Sequence, residues 1–329
     1  MSETSAASRS RLLVAFALVY VVWGSTYLAI RFAIETAPPF LMAGVRFLLA
    51  GAILYLWARL RGAERPTAVH WRSAAIIGAA LFLFGNGGVV WAEQFVPSGL
   101  AALLVATVPL WIVLFEWWLP GGTRPPLAVW LGVLVGLFGV GLLVQPGSAS
   151  GGSERYLAGA LALVVASIVW SLGSLYSRRA PLPKSMPLTI GMQMLTGGLW
   201  LSLASVVTGE PAQFDPSSMS AKSLLAVLYL VVFGALVGFS AYQYVLHHAT
   251  PARAATYAYV NPVVAMFLGW AFAGEPITAR TLTAAAIVLA AVAIIVLAKA
   301  SAGRAQRRQA MAETEAQDLV EVIELEVRR

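Results

Sequence analysis

The sequence predicts an all-α membrane protein with ten transmembrane helices arranged as two inverted five-helix repeats. Three observations lead there. The 329 residues are 59% hydrophobic and only 11% charged, whereas a soluble domain is roughly a quarter charged. Ten apolar runs follow one another with short joins, leaving no room for intervening domains. The second half of the chain repeats residues of the first at a constant offset. A soluble fold of this size has no way to hide so much apolar surface, and a disordered chain needs low hydrophobicity and high charge.

A membrane helix needs about 20 mostly apolar residues to cross the hydrocarbon. The first run, 12–34, is too long for the apolar part of a signal peptide and lacks a small-x-small cleavage site, so it is expected to be retained. Pro38-Pro39 opens the second run, 38–58. The third, 72–94, contains Gly85-Asn86-Gly87-Gly88, a poor helix former in water that lets backbones approach closely. Pro97 opens the fourth, 97–118, and Gly121-Gly122 and Pro125-Pro126 separate it from the fifth, 125–144, which Pro146-Gly147 closes. The sixth, 156–178, stops before Pro181, and the seventh covers 186–208. The eighth, 221–246, stops before Pro251; the ninth, 252–272, ends at Gly274; the tenth is 277–299. Gly132-xxx-Gly136 and Gly234-xxx-Gly238 read as small-xxx-small packing contacts. The domains expected are a first repeat over 12–144, a second over 156–299, and a cytoplasmic acidic tail over 300–329.

Charge sets the direction. Outside residues 310–329, fifteen Lys and Arg flank the runs on one side, from Arg9 and Arg11 to Arg307 and Arg308, against Arg31, Arg155, Lys222 and Arg280 on the other. That bias predicts cytoplasmic termini in a multi-pass inner (plasma) membrane protein. It also explains the net charge of +7 without nucleic acid, because the basic residues sit at span ends. Trp57, Trp71, Trp91, Trp117, Trp118 and Trp270 also lie near span ends and read as an interfacial belt.

Residues 23–51 align with 170–198 at an offset of 147: Trp23 meets Trp170, Gly44 meets Gly191, Leu48 meets Leu195 and Gly51 meets Gly198. At an offset of 153, Ala101-Ala102 meets Ala254-Ala255 and Pro109 meets Pro262. Five spans separate the copies, and an odd number forces opposite orientations. Inverted repeats mark secondary transporters, whose substrate site lies near mid-membrane between the copies.

Val22-Trp23-Gly24-Ser25-Thr26-Tyr27 and Met42-Ala43-Gly44-Val45-Arg46-Phe47 resemble the first EamA domain of the drug/metabolite transporter superfamily. Pro97-Ser98-Gly99-Leu100-Ala101-Ala102 and Ala106-Thr107-Val108-Pro109 continue the likeness. Thr256-Tyr257-Ala258-Tyr259-Val260-Asn261-Pro262 and Gly274-Glu275 are similar to the second domain. The resemblance covers about 12–299 and implies ten helices in two inverted halves, with bacterial inner-membrane exporters, including amino acid exporters, and nucleotide-sugar transporters as relatives. It identifies the fold better than the cargo.

The candidate substrate-binding residues are the polar and aromatic groups placed deep in the spans: Trp23, Arg46, Asn86, Trp170, Gln193, Tyr257 and Asn261. An arginine at the bilayer centre costs about 2.5–3.5 kcal/mol on insertion scales, so Arg46 must face the bundle interior, a wet cavity or backbone carbonyls. Two roles fit it: a fork for a substrate carboxylate, or a strut to neighbouring carbonyls. Its repeat partner is Gln193, which confines charge to one half. Asn86 and Asn261 are the only asparagines, and Asn261 precedes a helix-loosening proline. Trp23 and Trp170 are repeat-related, and Tyr257 shares a helix face with Asn261. Such a lining suits a small amphipathic solute; interhelical hydrogen bonding and core packing are the plainer readings.

No HExxH, phosphate-binding loop or dinucleotide fingerprint occurs, and there is no cysteine. No catalytic residue, metal or cofactor is therefore expected, and the partners expected are the lipid bilayer and a small-molecule substrate. The leading expectation is a secondary exporter working by alternating access. Glu93 and Glu116 lie near opposite faces, and with no carboxylate at the centre the sequence leaves proton coupling and facilitated diffusion equally open. A membrane enzyme would need clustered carboxylates or histidines at one interface, and a scaffold would act through the tail.

Overall fold

The computed structural model describes residues 3–118, 125–144, 154–249, 257–298 and 301, and every regular element among them is a helix. Eight helices among the described residues are long and apolar enough to cross a membrane: α1 (Ser10–Ala33), α2 (Pro39–Leu60), α3 (Ala68–Ala92), α4 (Ser98–Trp118), α6 (Glu154–Ser177), α7 (Met186–Val207), α8 (Ala221–Tyr242) and α10 (Ala279–Ala298). The fifth and ninth predicted runs hold shorter apolar helices, α5 (Leu127–Leu143) and α9 (Tyr257–Ala273), the apolar part of α9 starting at Val260. Each of the ten expected runs thus contains one helix, with two of the ten short among the described residues. Apart from Ser301, the predicted tail over 300–329 lies outside the described residues.

The helix ends follow from local chemistry. Pro39 occupies the first turn of α2, where its missing N–H costs nothing. Before α3, Thr67 Oγ1 accepts from the His70 N–H at 3.3 Å and His70 Nδ1 accepts from the Thr67 N–H at 3.4 Å, a capping box with His in place of the usual Glu. Gly62 after α2, Gly209 after α7 and Gly274 after α9 have φ of 81°, 75° and 65°, a conformation that strains any residue with a Cβ. Gly62 and Gly209 are separated by the repeat offset of 147, so two equivalent helices stop by the same device.

Packing interleaves the two halves: α1 lies on α8, α2 on α7, α3 on α6 and α4 on α9. Along the α2–α7 seam, Gly44 meets Gly198 and Ser202 while Gly51 meets Gly191 and Leu195. Rising numbers on one helix meet falling numbers on the other, so the two run antiparallel. Their backbones touch, for a Cβ on Gly191 would lie 2.7 Å from the Tyr55 nitrogen and one on Gly198 2.8 Å from that of Leu48. Beside the seam, Phe47 and Phe82 pack edge to face at 4.6 Å between ring centroids. Leu56, Phe138, Leu199 and Val207 point outward as exposed apolar side chains that hydrocarbon covers.

Among the described residues three helices contain wide π-turns: Val19–Trp23 in α1, Ala79–Asn86 in α3 and Leu230–Val237 in α8. Such turns are rare and concentrate at functional sites. The turn in α3 ends within the glycine-rich stretch Gly85-Asn86-Gly87-Gly88. Pro262 leaves α9 helical throughout, whereas near its counterpart Pro109 α4 is interrupted between Val105 and Val108.

Candidate functional site

Several of these irregularities meet at one cavity of about 950 Å³, its open mouth included. From α1, Trp23, Thr26, Tyr27 and Ile30 reach it at the spacing of a single helix face. The other contributions are Arg46 from α2, Gly85, Asn86 and Val89 from α3, small residues and Pro109 from α4, Ser167 and Trp170 from α6, Gly234 and Phe239 from α8, and Tyr257, Asn261 and Pro262 from α9. Six of the seven sequence candidates are brought together: Trp23, Arg46, Asn86, Trp170, Tyr257 and Asn261. Gln193 is not among the lining; it lies on α7 where that helix packs against the start of α3, its carbonyl 3.0 Å from where a Cβ on Gly78 would stand.

Trp23 organises an aromatic cluster. Its ring lies 5.2 Å from Phe239, 4.9 Å from Tyr242 and 5.5 Å from Tyr257, and its Nε1–H donates to the Gly234 carbonyl at 3.3 Å. Each repeat-related tryptophan lies against a bare glycine of the other half. A Cβ on Gly85 would come 2.5 Å from Trp170 Cε3, and one on Gly238 would come 2.8 Å from Trp23 Cδ1. Gly85 and Gly238 are themselves 153 apart, an offset of the repeat. Gly234 performs a related service, since Thr26 and Arg46 Nη2 occupy the room that a side chain there would fill. The Gly234-xxx-Gly238 pair, expected as a helix packing motif, therefore seats cavity side chains as well.

The polar groups differ in how they are satisfied. Asn86 Nδ2 donates to the Leu81 carbonyl at 3.2 Å, within the π-turn. Ser167 and Ser171 reach from α6 to the carbonyls of Leu104 and Val108, at 3.3 and 3.1 Å, and so serve the interrupted part of α4. Arg46 is 3% exposed with its guanidinium carbon 4.5 Å from the Phe47 ring centroid, and its Nε and Nη1 have no partner among the described residues. Asn261 Oδ1 is likewise buried without one. A buried polar atom in that condition costs about 1–3 kcal/mol.

Tyr27, Ser167 and Phe239 were not among the sequence candidates. Tyr27 is one turn from Trp23, and Phe239 follows Gly238 as Asn86 follows Gly85, so spacing and offset both pointed to them. One turn beyond Val89, Glu93 is fully enclosed, and neither of its carboxylate oxygens has a hydrogen bond among the described residues. Arg31 Nη1 donates to its backbone carbonyl at 3.0 Å. No cluster of three metal-ligating side chains occurs among the described residues.

Comparison with known proteins fits this architecture. The sequence model of the EamA-like transporter family matches residues 11–145 and 157–297. The inner membrane transporter YedA of Escherichia coli is 40% identical over 285 residues, 86% of this chain and 90% of that protein. Protein PagO of Salmonella typhimurium is 27% identical over 77% of this chain and 82% of its own length. A solved crystal structure, 23% identical, covers 88% of this chain and 98% of its own with a TM-score of 0.60, which shows a shared fold. With both halves matched and YedA similar over most of its length, the chain belongs to the EamA-like transporter family.

Proposed function

We propose that the protein is a secondary transporter of the inner membrane that exports small amphipathic metabolites, such as amino acids or drugs, by alternating access around the central cavity. The observation that carries the proposal is the meeting of Trp23, Arg46, Asn86, Trp170, Tyr257 and Asn261 from five helices and both halves around one space. Aromatic walls with a few polar groups suit a small solute of mixed character. The antiparallel contact of α2 with α7, and the reciprocal pairing of α1 with α8 and α3 with α6, support an inverted repeat that rocks about this site. For the driving force we propose proton exchange at Glu93, the carboxylate enclosed one turn past the lining, with Arg31, Glu275 and Tyr27 as its charged and titratable neighbours.

Cysteine substitution tests the cavity, because the chain has no native cysteine. Thiols at Trp23, Asn86, Trp170, Tyr257 and Asn261 should react with a small reagent from at least one side of the membrane. Uniform inertness would mean packed core. A metabolite-resistance screen with the overexpressed protein should then name a cargo that slows the labelling. Orientation is a separate expectation. Reporter fusions after residues 62 and 300 should report cytoplasm, and fusions near 150 and 212 the opposite face; a C-terminus outside the cell overturns the assignment.

A further inference from the structure

We infer that the cavity takes a small organic carboxylate, held by Arg46; the inference rests on the cavity being the transport site and adds the charge of what it carries. Among the described residues, Arg46 is the one charged residue in the lining. It sits 3% exposed, and the Nε and Nη1 atoms that share its charge have no acceptor among the described residues. No counter-charge among the described residues pairs with it. The ion pairs among the described residues are Arg178 with Glu116 and Lys222 with Glu35, all four side chains being substantially exposed. The enclosed carboxylate of Glu93 makes no hydrogen bond to it either.

A strut would look different. A structural arginine in a membrane bundle spends its five N–H groups on helix-terminal carbonyls or a carboxylate. Arg280 does this in the same molecule, donating to the Leu142 carbonyl from both Nε and Nη2. Arg46 instead has the Phe47 ring beside it and bare Gly234 under Nη2. A cation held dry and unpaired at a cavity wall is stabilised by an anion entering from that cavity, and the planar guanidinium favours a carboxylate, which it can grip through two parallel bonds. Asn261 Oδ1, buried without a donor, would meet an N–H or O–H elsewhere on the same solute, and the Trp23–Phe239–Tyr257 cluster would cover its apolar body.

The test uses the full chain in proteoliposomes with Ala106→Cys as the only thiol, since Ala106 lines the cavity without a polar role. Labelling by neutral N-ethylmaleimide is timed against four probes of similar bulk: phenylacetate, phenylacetamide, phenethylammonium and phenyl phosphate. Phenylacetate should protect at a concentration roughly tenfold or more below each of the others, the scale set by one charge-assisted pair. Arg46→Gln should bring phenylacetate to the level of the amide, and Arg46→Lys should restore part of the difference. Gly234→Ala, which crowds Nη2 without removing charge, should weaken phenylacetate and spare phenylacetamide, and it carries the test if Arg46→Gln does not fold. Equal protection by amide and acid, better protection by the ammonium or the phosphate ester, or indifference of phenylacetate to Arg46→Gln overturns the inference and leaves the cavity standing. A thiol that none of the probes protects, or that never reacts, removes the cavity reading itself.

Discussion

The α2–α7 seam and the cavity wall use the same repeat in opposite ways. At the seam, equivalent positions carry the same residue: Gly44 and Gly191, Gly51 and Gly198, with Gly62 and Gly209 closing the helices in matching left-handed turns. At the cavity the equivalents diverge. Arg46 answers to Gln193, Asn86 to Phe239, Tyr257 to Leu104 and Asn261 to Val108. Close backbone contact between the antiparallel α2 and α7 leaves little room for difference, since a side chain at any of these glycines would run into the backbone or a side chain of the other helix. A binding surface has no such constraint, because a small solute is itself asymmetric and needs each polar group once.

The largest effect should come from breaking the symmetric region. Gly191→Val would drive a branched side chain into the Tyr55 backbone and should cost about 3 kcal/mol or more, with Gly51→Val equally damaging. A thermal melt in detergent measures both, and a wild-type melt for either would separate the seam from folding. Next come the paired positions of the asymmetric region. Arg46→Ala should lower transport roughly tenfold or more, whereas Gln193→Ala should change it by less than about twofold, as befits a residue outside the lining. Equal effects would erase the contrast between the halves. Glu93→Gln keeps the shape and removes the proton site; transport by this variant should no longer respond to an imposed pH gradient, while its melt stays unchanged. Persistence of the response would move the coupling elsewhere. Among the cavity polar groups a smaller effect is expected for Asn261→Ala, a loss of roughly fivefold in transport from one hydrogen bond, against almost none for Val108→Ala at the equivalent position.

How much of this was legible beforehand depended on periodicity. Ten apolar runs announce their helices through length and composition, and Gly or Pro marks most of their joins. Trp23, Arg46, Asn86, Trp170, Tyr257 and Asn261 stood out because polar or outsized groups deep in a span need an interior partner. Gln193 stood out for the same reason, yet an offset transfers sequence position and says nothing of what the neighbouring helix brings. Where α8 presents bare Gly234 to Arg46, the corresponding stretch of α3 carries Leu81, Phe82 and Leu83, and the space is filled. Glu93 was read as an edge residue because its span ends there. Its full enclosure comes from neighbouring helices that no single run encodes. The π-turns were foreshadowed only in α3, by its glycines. That in α1 lies in a run of ordinary apolar residues, and that in α8 holds a single glycine, Gly234, in an otherwise apolar run.

If the two halves rock against each other as proposed, the paired contacts of Trp170 with Gly85 and Trp23 with Gly238 bear on how they do so. Interlocked side chains must climb out of their holes before two helices can shift, and in a close-packed interior that climb is steep. A flat indole lying on backbone without a Cβ has nothing to climb over. In that motion two such contacts would act as plain bearings, with the rings sliding on smooth tracks and the close-packed glycines of the α2–α7 seam as the axle. A methyl group added to either track would be grit, felt in the speed of turnover before it is felt in the grip on the solute.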